Sequence, residues 1–490
     1  MARKQIVVDK KYDVIVCGGG TSGVAAAIAA ARGGASTLLI ERVGSLGGQL
    51  CFSGPPGFAF AHLFNPLGEQ DAAGIIQEIH TRMLKDGHAL PHHKPAHRLE
   101  SGYSFSYIDP DWFSLVIFQM MEEEKIDLLL HSLVVDVVQE GNKVTGVVVE
   151  NTNGTMTIYG KIIVDCSGEG DIAVRAGASY EYVDKQTVQP HTLSFTMDGI
   201  DWNKFLDYVN KNPEQLAWFE LTLPSWSDER KEEAHQKCLE FYRTCRDPAM
   251  LGEIMGFYDF HKKAMEAGDW HPYSGVGFFL TPREGGLIQA HMQHSSQVPE
   301  LLTDNAWDIS KGELECRKQN AIAIKFFRKY IPGFENAYLT RMCSEIRMRE
   351  GRRIMGDYKL TRDDVAVGQK FDDTIGMSHF KAGGHHVANE NTLSTATTRV
   401  CPPNGGSYGI PYRCLVPLKV ENMLVAGKHV STDRDSYLRY LHQTMITGQA
   451  AGAAAALCVK QNISPRAMEK DVGELQKILK QQGAILDGTS

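Results

Sequence analysis

At 490 residues, with 43% hydrophobic and 22% charged residues and a formal net charge of −8, the chain is globular in make-up and too long for one ordinary core. The acidic balance, without a long run of like charge, argues against nucleic acid as a partner, since phosphate binding needs a basic surface. No stretch reaches the roughly eighteen consecutive apolar residues of a membrane span. The ten cysteines hold no CxxC pair, which argues against a disulfide framework or a zinc site.

The opening MARKQIVVDKKYD is basic, and Asp9 interrupts its only apolar run, so no secretory signal is expected and the expected location is the cytoplasm. Tyr12 to Cys17 then reads as a buried parallel strand. Gly18, Gly20 and Gly23 follow in GxGxxG spacing. The first makes a tight turn, the second lets backbone approach a pyrophosphate, and the third lets the next helix lie close. That helix, Thr21 to Arg32, is alanine-rich, and its N-terminus is an anion site. STLLIER supplies a second strand, ending at Glu41, whose carboxylate can accept both ribose hydroxyls of an adenosine. Arg42 would suit a 2′-phosphate, but Glu41 would repel one, so an unphosphorylated ribose is expected.

Gly47 and Gly48 bring a further loop toward the same ligand. A helix from Trp112 to about Glu124 and a third parallel strand come next, then a β-meander from Val134 to Ser167 with turns at Gly141-Asn142 and Asn153-Gly154. The segment DISKGELECRKQNAIAIKFFRKYIPGF reads as a long amphipathic helix, capped by Asp308 or Ser310 and stopped at Pro332-Gly333. Near the C-terminus NMLVAGKHVSTD is a strand broken at Gly427, and QTMITGQAAGAAAALCVK a second small-residue helix.

In this order the parts resemble the FAD-dependent oxidoreductases with a glutathione-reductase-type nucleotide fold, distant relatives of fumarate reductase flavoproteins. The matching pieces are DVIVCGGGTSGVAAAIAAARGG with LLIER and LGG, IIVDCSGEGDIAVRAGA, RMREGRRIMGDYKLT, and NMLVAGKHVS with GQAAGAAAAL. The resemblance implies an α/β protein: a Rossmann-like FAD-binding domain with a β-meander, plus an inserted α+β substrate or lid domain. Its expected divisions are residues 1–185 and 333–490 for the two parts of the FAD domain and 186–332 for the insert. It also implies FAD as cofactor. Gly18, Gly20, Thr21, Ser22 and Gly23 would hold the pyrophosphate, and Glu41 and Arg42 the adenosine end. Gly47, Gly48, Gln49 and Leu50 would run along the flavin, and Val134 would meet adenine. Ser167, Gly168 and Asp171 would lie near the adenosine half, with Asp171 as helix cap the alternative. Gly427 would face the isoalloxazine. Lys428 departs from the acidic residue many relatives carry there.

Candidate chemistry lies in RMREGRRIMGDYKL, AGGHHVANEN and STDRDSYLRYLHQTM. Arginine can fix a carboxylate through two parallel hydrogen bonds, and histidine can take a proton as hydride leaves carbon. The candidates are Arg349, His385, His386, Tyr437 and His442. Neighbours in a strand point to opposite faces, so at most one of His385 and His386 acts, and no third ligand is spaced for a metal. Arg347, Arg349, Arg352 and Arg353 could equally pair with Glu345, Glu350 and Asp357. Cys51 reads as a small buried residue, because no CxxxxC pair accompanies it.

The sequence therefore points to a flavoenzyme of dehydrogenase type, moving a hydride between FAD and a small polar organic substrate. Flavin chemistry without net redox change (isomerase or lyase) and an NAD(P)H-dependent monooxygenase remain as alternatives, as does a nucleotide-binding regulatory protein. The expected partner is a small molecule, with homo-oligomerisation left open.

Overall fold

The computed structural model describes residues 6–54, 60, 62–94, 104–217, 227–272, 274–292, 294–383 and 400–488. The strand Tyr12–Cys17 runs parallel to Thr37–Ile40 on one side and to Gly154–Asp165 on the other. Asp127–Leu129 extends the sheet beyond Thr37–Ile40, again in parallel. The helix before it spans Pro110–Glu123, two residues ahead of the expected start, because the Asp109 carboxylate caps Asp111 and Trp112 with Pro110 at the first position.

Gly154–Asp165 does double duty. Its first half completes the meander with Lys143–Asn151 and Leu133–Glu140, in antiparallel register. Its second half lies between Tyr12–Cys17 and Met423–Val425, both parallel to it. The late strand ahead of Gly427 and the early strand ahead of Gly18 thus flank one shared neighbour, which brings the two ends of the chain into one eight-stranded sheet.

On this sheet lies the helix Thr21–Arg32, and against it the helix Leu441–Gln461. Small residues permit the approach. A side chain at Gly448 would stand 2.1 Å from the Ser22 carbonyl oxygen, and one at Gly452 would stand 2.0 Å from that of Ala26. Gly23 does the same work toward the turn, 2.9 Å from the Gly18 carbonyl carbon for any added β-carbon. Gly18 itself has φ +107°, the left-handed turn that the motif requires.

A second core forms around an antiparallel five-stranded sheet ordered Glu253–Gly256, Val276–Arg283, Leu287–Met292, Phe195–Asp198 and Tyr338–Met342. Phe205, Phe257, Phe278, Phe327 and Phe334 fill it, and its last strand comes from beyond position 332. The long helix spans Ala306–Tyr330 and ends at Pro332-Gly333 as expected. Its cap is neither Asp308 nor Ser310 but Asn305, whose side chain accepts from the backbone of Trp307 (3.0 Å) and Asp308 (3.3 Å). The Asp308 carboxylate is taken by Lys185 at 2.6 Å, and the Ser310 hydroxyl donates back to the Ala306 carbonyl at 2.8 Å. Among the described residues, no helix is long and apolar enough to cross a membrane.

Candidate functional site

A cavity of about 340 Å³ opens at the C-terminal ends of the parallel strands, the usual ligand position of an open α/β sheet. Its wall joins both ends of the chain. From the first glycine turn come Gly18, Gly20, Thr21 and Ser22, and from the second strand Glu41 and Arg42. Gly48, Gln49 and Val134 line it further along, then Ser167, Gly168 and Asp171, and finally Gly427, Leu441 and Thr444. The Thr21 and Thr444 hydroxyls meet at 2.8 Å, so the two small-residue helices present their N-terminal turns side by side. Two dipole ends there favour an anionic ligand.

Three of the singled-out glycine-loop residues stand behind this wall. Gly23 packs on the Gly18 turn, and Leu50 is buried. Gly47 donates its N–H to the Gly19 carbonyl at 2.8 Å, holding one loop against the other. The glycines on the wall leave the open backbone that a bound dinucleotide needs: a side chain at Gly168 would meet nothing within 4 Å, and one at Gly20 only the Gly48 Cα at 4.0 Å.

Glu41 is buried, which raises its pKa, yet it accepts from the backbone of Gly19 (2.6 Å) and Val43 (3.1 Å), which works the other way. Arg42 is tied to Glu345 at 2.6 Å. Asp171 does not cap its helix. It sits at the first helical position and holds Arg352 at 2.7 Å. Gly170 holds the cap position, and the free N–H groups go to Asp165, a residue the sequence did not single out, which accepts from Ile172 (3.0 Å) and Ala173 (2.8 Å). Lys428 forms a buried ion pair with Glu169, and both line the cavity. Burial opposes the lysine charge, but Glu169 beside it lifts its pKa above the ordinary value. Glu169 also accepts from the Thr303 hydroxyl at 2.6 Å.

The carboxylates expected to pair with the arginine-rich segment are all engaged elsewhere. Glu345 takes Arg42, Glu350 takes Arg434 at 2.7 Å, and Asp357 takes Arg466. Arg352 and Arg353 find Asp171 and Glu181 instead. Arg347 and Arg349 have no carboxylate partner among the described residues. Burial, reinforced by Arg439, pulls the Arg347 pKa down to about 10, and burial with both neighbours holds Arg349 well below its usual range. Arg439 lines the cavity.

His442 is buried behind the wall, its Nε2 3.4 Å from the Ser378 hydroxyl and its ring stacked 6.3 Å from His379. Burial, with His379 next to it, keeps it well below the ordinary histidine pKa, so it is neutral. Tyr437 is also buried off the wall, and its hydroxyl, without a partner among the described residues, is pushed up to about 12 by burial. Cys51 is the small buried thiol expected of it, 3.4 Å from the Pro110 carbonyl. His385 and His386 lie outside the described residues. Thr303 and Ile309, just before and in the first turn of the Ala306–Tyr330 helix, reach the wall, and nothing local in the sequence marks them.

A protein family described as FAD dependent oxidoreductase matches residues 13–479. No curated protein matches the chain. Solved structures with a similar course include a geranylgeranyl bacteriochlorophyll reductase-like protein from Thermoplasma acidophilum, at 12% identity over 98% of this chain and 84% of that one, TM-score 0.47. A myxobacterial FAD-dependent chondrochloren halogenase gives 13% identity over 98% and 84%, TM-score 0.47. The p-nitrophenol 4-monooxygenase of Pseudomonas putida gives 10% over 98% and 89%, TM-score 0.43.

Proposed function

This chain belongs to the FAD-dependent oxidoreductase family, and from that premise we propose that it is a dehydrogenase-type enzyme moving a hydride between flavin and a small polar organic substrate. What supports this is the shared wall, on which the Gly18 turn, Glu41 and the start of the Leu441–Gln461 helix face one cavity. In this reading Gly20, Thr21 and Ser22 offer backbone N–H groups to the pyrophosphate, with Gly18 and Gly23 shaping the turn. Glu41 accepts from the ribose, with Arg42 and Val134 beside the adenosine and Ser167, Gly168 and Asp171 along the same half. Gln49 and Gly427 flank the isoalloxazine, with Gly47, Gly48 and Leu50 setting the loop. Bound flavin supplies the electron chemistry, and the protein orients substrate and keeps water out. Arg349 is a substrate-binding candidate. His442 and Tyr437 stand one layer back, where they support this end of the site, and His385 and His386 stay candidates for proton transfer on sequence grounds.

Purified protein is expected to be yellow, to release FAD on heating, and to bleach anaerobically with its substrate alone. Bleaching only after added reduced nicotinamide would make it a monooxygenase. Turnover with no bleaching would make it an isomerase or lyase. Colourless protein that ignores added FAD would end the proposal.

Glu41→Ala is expected to weaken FAD binding roughly tenfold or more, since a charged acceptor is lost. Equilibrium dialysis of the apoprotein measures this, and unchanged affinity would move the ribose elsewhere.

A further inference from the structure

Arginine is the residue most dependent on an anion when buried. It keeps its charge in practice, and removing a guanidinium from water without a partner is strongly unfavourable. Arg349 stands in that position here, with the half-buried Arg347 and Arg439 adding their charge beside it. Arg349 is 3% exposed. Its Nη2 donates to the Thr192 hydroxyl at 3.4 Å and lies 3.5 Å from His294 Nδ1, while its Nε has no partner among the described residues. The charges that act on it most are those of Arg347 and Arg439, both cationic. One Arg439 Nη is likewise without a partner among the described residues.

The nearby histidines do not relieve this. His191 Nε2 faces the Leu301 carbonyl at 3.0 Å and must donate to it, so its Nδ1 is the acceptor for the Arg349 backbone N–H at 3.3 Å. That is the neutral tautomer, and burial pushes its pKa to about 4. His294 is held well below the ordinary value by burial and by the arginines. A cationic cluster with neutral surroundings is a receptor for negative charge.

We propose that Arg347, Arg349 and Arg439 form a recognition site for a carboxylate of the substrate, at the flavin end of the cavity. The proposal rests on the redox reading above and narrows its substrate class to organic acids. Arg347 and Arg349 are not on the wall themselves but flank Met348, which lines the cavity and whose carbonyl accepts from Gln49 Nε2 at 3.3 Å. Arg439 lines the same wall, ahead of Leu441. Arg347 and Arg349 are tied by backbone to Thr192 and His191 of the inserted region, not to the Gly18–Gly23 turn, so substrate is favoured over cofactor phosphate as the anion. The planar fork of a guanidinium matches a carboxylate by two parallel hydrogen bonds.

The test titrates holoenzyme with sodium malonate against chloride of equal ionic strength, reading the flavin absorption spectrum and the unfolding temperature. Wild-type protein is expected to show a saturable spectral shift and to melt higher. Arg349→Gln and Arg439→Gln are expected to bind malonate roughly tenfold to a hundredfold more weakly, with Arg349→Lys between, and all to keep their FAD. If Arg349→Gln fails to fold, Arg439→Gln on the cavity wall carries the comparison. No response beyond chloride, or variants that bind malonate as wild type does, would overturn the proposal. Loss of FAD with malonate binding intact would also overturn it, by giving the cluster to the cofactor phosphate. Malonate binding in a protein that no metabolite bleaches would leave the anion site and remove the hydride-transfer reading. Bleaching by an uncharged substrate, with no malonate response, would do the reverse.

Discussion

Replacing Gly452 by valine is expected to cost about 3 kcal/mol and to loosen the hold on flavin. A β-carbon there stands 2.0 Å from the Ala26 carbonyl oxygen and 2.7 Å from its carbon, so the obstacle is backbone and cannot turn aside. Gly448, one helical turn earlier, meets Ser22 the same way at 2.1 Å. Relief requires the helices Thr21–Arg32 and Leu441–Gln461 to separate. Their contact is lined by small residues, with Ser22 against Gly448, Ala26 against Gly452 and Gly33 against Ala456, which are too short to close a wider gap. The N-terminal turns of the same helices line the cavity, and the 2.8 Å contact between Thr21 and Thr444 would break with them. Stability and flavin retention should therefore fall together. Urea unfolding and flavin release on gentle heating measure the two. Gly448→Ala combined with Gly452→Ala should cost less than the sum of the singles, because one displacement relieves both clashes. Wild-type unfolding for Gly452→Val would mean the helices are not in this contact.

The features legible in the sequence are those whose physical reason is local. The Gly18–Gly23 turn, the strand ending at Glu41, the meander turns and the break at Gly427 each follow from backbone needs of a few consecutive residues. Choices among chemically similar neighbours were less legible. Asn305, Asp308 and Ser310 are all able caps. Asn305 is the cap because the helix begins at Ala306, which leaves Asp308 and Ser310 inside it, their side chains taken by Lys185 and the Ala306 carbonyl. His442 shows the same limit from another side. It follows Leu441 in sequence, yet Leu441 and Thr444 share the cavity-facing side of their helix, and a residue one step on from Leu441 is turned about 100° away. Which arginines lack an acid among the described residues was wholly illegible. Glu350 finds its partner at Arg434 and Asp357 at Arg466, pairings set by the tertiary fold alone.

Asp165→Ala is expected to destabilise the protein by about 3–5 kcal/mol, the range for losing one member of a buried polar network. Asp165 ends the strand shared by both halves of the sheet and is fully buried. One carboxylate oxygen accepts from the Ser167 N–H at 2.9 Å, and the other from Ile172 and Ala173 at 3.0 and 2.8 Å. Alanine would strand all three donors where water does not reach. Asparagine is no remedy, because its amide nitrogen would have to face one of these N–H groups, so Asp165→Asn should recover only part of the loss. The turn these bonds hold carries Ser167 and Gly168 on the cavity wall, opposite Gly427 across the strand ends, so flavin affinity should drop in both variants. Amide exchange separates this from general weakening. In Asp165→Ala the amides of Ile172 and Ala173 should lose protection well before those of Val14 to Val16, in the middle of the sheet. Uniform loss of protection across both groups would show that the carboxylate does not act through this turn.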